Sequence, residues 1–241
     1  MIEVEGKAIY ETLDELIDPR HTAVVVVDMQ NDFCKRGYAW DNYHIPISAF
    51  PALIPRLAAL INGARGAGVP VIYIQMTVLP GRVIESAPQL RFLRRLHIDL
   101  AGDDSPLLYT VEGTPGQEIV DELAPQDGDV MVKKYRSSSF WGTNLDMLLR
   151  SNKIETVIVT GCTTEGCVES TARDALFNDY YVVVPEDCVA SDDQTQHDAS
   201  LILMRHRFDM SNLNEILATW KQLDRSQVMA RKTPAGVGAG G

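Results

Sequence analysis

Five short runs of mostly β-branched residues limit what this chain can fold into: "TAVVVVD" (22–28), "VPVIYIQ" (69–75), "DVMVKK" (129–134), "ETVIVTG" (155–161) and "YYVVVPED" (180–187). A strand with one face in water alternates apolar and polar residues. These runs are nearly continuous, as strands covered on both faces are. Helical patterns fall between them. "PALIPRLAALINGARGAG" opens on Pro51 and ends in glycines, and "GQEIVDELAP" is short and stops before Pro125. "TNLDMLLRSNK" starts on Thr143 as N-cap, "CVESTARDALFND" and "DASLILMRHRF" follow, and "NLNEILATWKQL" closes the series. Strand and helix alternate, so the expected fold is α/β: a doubly wound, mostly parallel sheet flanked by helices, a Rossmann-like three-layer arrangement.

The 241 residues contain no internal repeat and no linker that would split them. The expected organisation is a single domain over 21–225, after an acidic N-terminal extension at 1–20. A flexible tail at 226–241 follows, where "TPAGVGAGG" offers nothing to bury. The net charge of −11 argues against nucleic acid, which needs a basic face. The N-terminus lacks the basic and apolar regions of a signal peptide, and no apolar run approaches the roughly 18 residues of a membrane span. Four cysteines, at 34, 162, 167 and 188, show no disulfide spacing. Reduced thiols, a cytoplasmic location and no membrane partner are therefore expected.

In an open parallel sheet, ligands bind beyond the carboxyl ends of the strands. The first run ends in Asp28, the third in Lys133 and Lys134, and the fourth runs into "GCTTEGC" with Cys162 and Cys167. Each has an ordinary reading: Asp28 as a turn residue, the lysines as solvated surface, a helix-start cysteine as a small buried hydrophobe. Together they have a chemical one. A helix N-terminus and a nearby ammonium favour a thiolate, and a carboxylate beside it can take the thiol proton and later return it.

The blocks "VVVVDMQNDF", "KKYRSSSFWGTNLDMLLR", "VIVTGCTTEGCVESTARDAL" and "VVVPEDCVAS" resemble the isochorismatase-like cysteine hydrolases, in that family's order, over about residues 20–215. The resemblance implies a catalytic triad of Asp28, Lys134 and Cys167. Lys134 rather than Lys133 is the match, because the family's lysine lies six residues before the phenylalanine that is Phe140 here. It also implies a cis peptide at Cys162–Thr163 and an oxyanion hole formed by the Thr163 and Cys167 amides. Cys162 is then a packed neighbour, and Gly166 allows close backbone approach beside the thiol.

The activity implied is amide or ureido hydrolysis through a thioester, with release of ammonia and no cofactor. "GCTTEGCV" is closest to N-carbamoylsarcosine and maleamate amidohydrolases, and biuret and ureidoacrylate hydrolases belong to the same group of possibilities. No functional metal is expected. Nicotinamidases of the superfamily carry Asp-x-His after the second strand, where this chain reads "QMTVLPGRVIES", and His21, His44, His97, His197 and His206 form no ligand pattern. "GARGAG" (63–68) precedes a strand and reads as a helix terminator rather than a dinucleotide loop.

Candidate pocket residues are Gln30, Phe33, Trp40, Tyr43, Phe140, Trp141 and Thr164. Each aromatic reads equally well as core, and Gln30 and Asn31 equally well as ties for their loop. Arg82 or Arg91, in the long connection 76–116, could meet a substrate carboxylate or lie on the surface. Long connections often carry substrate or subunit contacts, and "LRFLRRLHIDL" reads either as an interface or as an intrachain helix. The family often forms dimers or tetramers, so a homo-oligomer is expected. The alternatives are isochorismatase-type vinyl-ether hydrolysis, a non-catalytic binding protein, and a redox sensor using Cys162 and Cys167.

Overall fold

The protein is described from a computed structural model covering residues 1–96 and 108–232, without the side chains of 224–232. A hairpin of β1 (Ile2–Val4) and β2 (Lys7–Ile9) leads through a short α1 (Leu13–Leu16) into β3 (Thr22–Val27). Then come α2 (Asn31–Cys34), α3 (Ala39–Asn42), α4 (Phe50–Ala67), β4 (Val71–Met76) and α5 (Ala87–Leu96). The second half runs β5 (Val130–Lys134), α6 (Leu145–Ser151), β6 (Thr156–Cys162), α7 (Glu169–Phe177), β7 (Tyr181–Pro185), β8 (Val189–Ala190), α8 (Gln194–Met204), β9 (Asp209–Ser211) and α9 (Leu213–Lys232).

The main sheet has the order β5-β4-β3-β6-β7-β9, with β8 paired to β6, and every pairing is parallel. The five apolar runs form its body, and all six β3 residues are buried. Val24 and Val26 face a core built with α1, α4 and α9, while Ala23, Val25 and Val27 face a second core built with α6, α7 and α8. This is the doubly wound three-layer arrangement expected of strands apolar on both faces. From β3 the chain winds outward to β5, then returns to β6 and winds the other way, so the topological switch point lies between β3 and β6.

Some elements depart from the sequence pattern. The helix expected over "GQEIVDELAP" is absent. Ile119 bridges to Gln30, Val120 N donates to Met29 O at 3.0 Å, and only a 3-10 turn, Asp121–Leu123, remains. This segment spends its backbone bonds on the loop after β3 rather than on itself, a tertiary override of helical spacing. The hairpin β1–β2 and the short strands β8 and β9 have too few residues for periodicity to reveal them. α9 continues to Lys232, seven residues past the expected domain end, because "QVMARK" consists largely of good helix formers. The rest of the expected tail, 233–241, lies outside the described residues, as do His97 and the end of "LRFLRRLHIDL". Gly68, left-handed at φ 76°, closes α4, as the terminator reading of "GARGAG" required.

Candidate active site

Asp28 follows β3, Lys134 ends β5, and Cys167 lies in one turn of π-helix (Thr164–Val168) between β6 and α7. All three project past the carboxyl ends of the strands beside the switch point. Asp28 takes a left-handed backbone, φ 53°, which aspartate tolerates better than most residues. Its side chain is buried, and Oδ1 accepts from Met76 N at 3.1 Å. Lys134 Nζ lies 2.8 Å from Asp28 Oδ2 and 3.0 Å from Cys167 Sγ. Two carbonyls, Arg136 O at 3.0 Å and Ser137 O at 3.1 Å, take two of its three N–H donors. The remaining donor is left to the carboxylate and the sulfur, and Asp28 also lies within hydrogen-bonding range of the thiol.

The electrostatics follow from burial. Desolvation raises the Asp28 carboxyl above the ordinary aspartate value despite the opposing Lys134 charge. Desolvation likewise pushes the Cys167 thiol up to about 12, again against the pull of Lys134. Burial alone would lower the Lys134 ammonium, but the negative charge available at Asp28 and Cys167 reverses this and holds it raised. The site is thus a protonated thiol and a carboxylate of increased basicity bridged by a fixed cation.

The Cys162–Thr163 peptide is cis. Thr163 N finds no acceptor among the described residues, while Thr163 O accepts from Gly166 N and Val168 N at 3.2 and 3.1 Å. A Cβ on Gly166 would meet Thr163 Oγ1 at 2.7 Å, a contact relieved only if that side chain moves. Cys162 is buried and donates to Asp28 O at 3.3 Å, a packed neighbour. Lys133 points away and pairs with Glu112 at 2.7 Å on the surface.

A cavity of about 520 Å³ opens onto Asp28, Thr163 and Cys167. Phe33 and Trp40 wall it, edge to face with ring centroids 4.9 Å apart, and Tyr109 packs on Phe33 at 5.4 Å. The other expected wall residues lie elsewhere. Gln30 is fully buried, with Nε2 donating to Met76 O and Gln117 O and Oε1 accepting from Met76 N, so it ties the loop down. Asn31 does the same through Pro115 O. Thr164 is buried with its hydroxyl 2.8 Å from His197 Nδ1. Phe140 packs on Tyr180 in the second core, Trp141 is 71% exposed, and the Tyr43 hydroxyl bonds Leu108. Arg82 pairs with Glu85, Arg91 is exposed, and neither is part of the wall.

Sequence reasoning missed the contribution of α5, whose Gln89, Phe92 and Leu93 reach the cavity, and that of Glu165, Asp192 and Gln196. The long connection signalled the first group. Nothing in sequence spacing signalled the second, which is assembled from the turn after β6, the chain between β8 and α8, and the first turn of α8. A larger groove of about 1120 Å³, beside α2, α3 and α4, contains none of the three central residues. Among the described residues no three His, Cys, Asp or Glu side chains gather as a metal-binding group.

Comparison with known proteins places this geometry. The sequence profile of the isochorismatase domain matches residues 22–211. A ureidoacrylate amidohydrolase of Pantoea ananatis is 36% identical over 173 residues, 70% of this chain and 69% of that protein. Among solved structures, a cysteine hydrolase from Pseudomonas syringae pv. phaseolicola superposes with a TM-score of 0.71 at 28% identity, covering 86% of this chain and 95% of that one. N-carbamoylsarcosine amidase from Thermoplasma acidophilum gives 0.62 at 29% identity, covering 80% and 96%.

Proposed function

Because this chain belongs to the isochorismatase domain family, we propose that it is a cysteine amidohydrolase that cleaves a C–N bond of a small linear amide or N-carbamoyl (ureido) compound. The observation that carries the mechanism is the single ammonium of Lys134, 2.8 Å from the Asp28 carboxylate and 3.0 Å from the Cys167 sulfur.

Asp28 takes the Cys167 proton as the sulfur attacks the substrate carbonyl carbon. The Thr163 and Cys167 amides receive the negative charge that develops on the carbonyl oxygen. Collapse of the tetrahedral adduct breaks the C–N bond, and Asp28 returns the proton so that ammonia leaves. Asp28 then deprotonates a water, which attacks the thioester carbon and releases the acid or carbamate. The proton returns to sulfur. Lys134 holds base and nucleophile in register and offsets the charge on each. A carboxylate whose basicity is raised by burial suits both proton transfers. No step needs a cofactor. The protein acts in the cytoplasm as a homo-oligomer in this reading.

The test is ammonia release from a panel of maleamate, N-carbamoyl amino acids, carbamoylated amines, biuret, ureidoacrylate and nicotinamide, with wild type beside Cys167→Ser. Release by wild type alone supports cysteine amidohydrolysis. Equal release by both removes Cys167 from the nucleophile's role. A reversible Cys162–Cys167 disulfide after peroxide that alone controls function would support the redox-sensor alternative instead.

A further inference from the structure

The charge on the cavity wall bears on which end groups a substrate can carry. Besides Asp28, which has Lys134 as its counter-ion, the wall carries two carboxylates, Glu165 and Asp192. No lysine or arginine is among the described residues that line the cavity. Among the described residues, Glu165 Oε2 is buried and accepts no hydrogen bond, and no ion pair to Glu165 or Asp192 occurs. The Ser191 hydroxyl, 3.4 Å from Asp192 Oδ1, is a long contact to an uncharged group. Burial and the Glu165 charge together raise the Asp192 carboxyl, so the two acids sense each other. Among the buried side-chain donors of the described wall, Trp40 Nε1 is also unpartnered, on a residue only 6% exposed. It is neutral and offers one bond to an acceptor, which does not offset two anions.

A substrate carboxylate brought into this wall would meet like charge, with no lysine or arginine among the described wall residues to receive it. A ligand ammonium or guanidinium would give Glu165 Oε2 the donor it lacks and balance the pair. We propose that the enzyme's substrate is an amide or ureido compound whose end remote from the scissile carbonyl is positively charged, with Glu165 and Asp192 as the specificity-determining residues. This rests on the amidohydrolase reading for the reacting end and narrows it at the other. It also separates this chain from relatives that act on ureidoacrylate, a carboxylate.

The test is binding, measured apart from turnover. Calorimetry on the Cys167→Ala protein compares short ω-ureidoalkylamines with ω-ureidoalkanoates of matched length and with uncharged alkylureas. The ammonium series should bind at least about tenfold more tightly than the carboxylate series. Glu165→Gln and Asp192→Asn should each erode that ratio, chiefly by weakening the ammonium compounds. Equal or tighter binding of the alkanoates, a ratio unchanged in both variants, or no binding by any ammonium compound would overturn the inference. Ammonia release by the wild type from the same compounds reports separately on the amidohydrolase reading. Charge-selective binding without turnover would fault that reading alone, and Cys167-dependent turnover without charge selectivity would fault the specificity alone.

Discussion

The proposed reactive unit is three side chains whose individual chemistry is unfavourable and whose combination is not. Lys134 is a fully buried ammonium, tolerated because two carbonyls, a carboxylate and a sulfur surround it. Lys134→Met leaves Asp28 as a buried anion with no counter-ion. It should cost about 3 kcal/mol or more in denaturant unfolding and reduce kcat/KM by about a hundredfold or more. Asp28→Asn keeps the shape and removes the base, so kcat should fall by about a thousandfold while substrate still binds to the folded protein. The direction of the Asp28 shift fixes the acid side of the pH profile. The proton is held more tightly than by an ordinary aspartate, and the protonated acid cannot accept the thiol proton. Activity should therefore fall on acidification with an apparent pKa above the ordinary carboxylate range, and a profile flat to about pH 4 would contradict this. The thiol, near 12, contributes no alkaline limb in the stable range.

At the scale of elements, strand packing places the triad. Gly161 at the end of β6 has φ 103°, and a Cβ there would collide with the backbone of Val27 in β3. Gly161→Ala should force β3 and β6 apart between Asp28 and Cys167. A stability loss of about 3 kcal/mol and a larger loss of activity are expected, measured by urea unfolding and by ammonia release. The five central strands were legible in the sequence because burial on both faces leaves a continuous apolar run. Asp28 and the Lys133–Lys134 pair stand at the ends of such runs and Cys162 and Cys167 follow the fourth, but it was the resemblance to the cysteine hydrolases that singled out Lys134 and Cys167. The cavity wall was less so. Gln30 read equally as a ligand contact or as a tie for its loop, and its amide serves Met76 and Gln117. Thr164 and Phe140 turn into the core for the same reason: proximity along the chain does not fix which way a side chain faces. Glu165 and Asp192 meet only in three dimensions.

For the whole molecule, the N-terminal extension divides at Tyr10. The hairpin before it is largely exposed, whereas Leu16 and Ile17 are buried and Ile17 O accepts from Trp220 Nε1 at 2.9 Å. Deleting residues 1–9 should change stability by less than about 1 kcal/mol. Deleting 1–18 should cost about 4 kcal/mol through the loss of two buried aliphatic side chains. Chelation with EDTA should leave ammonia release unchanged if the three side chains perform every step. In the proposed mechanism the substrate carbonyl passes through a thioester on Cys167. Acid quench during turnover, followed by peptide mass spectrometry, tests it directly. The expected result is an acyl adduct on the Cys167 sulfur, removed by hydroxylamine and absent from Cys167→Ser. Turnover with no adduct at Cys167, or with the adduct on Cys162, would contradict it.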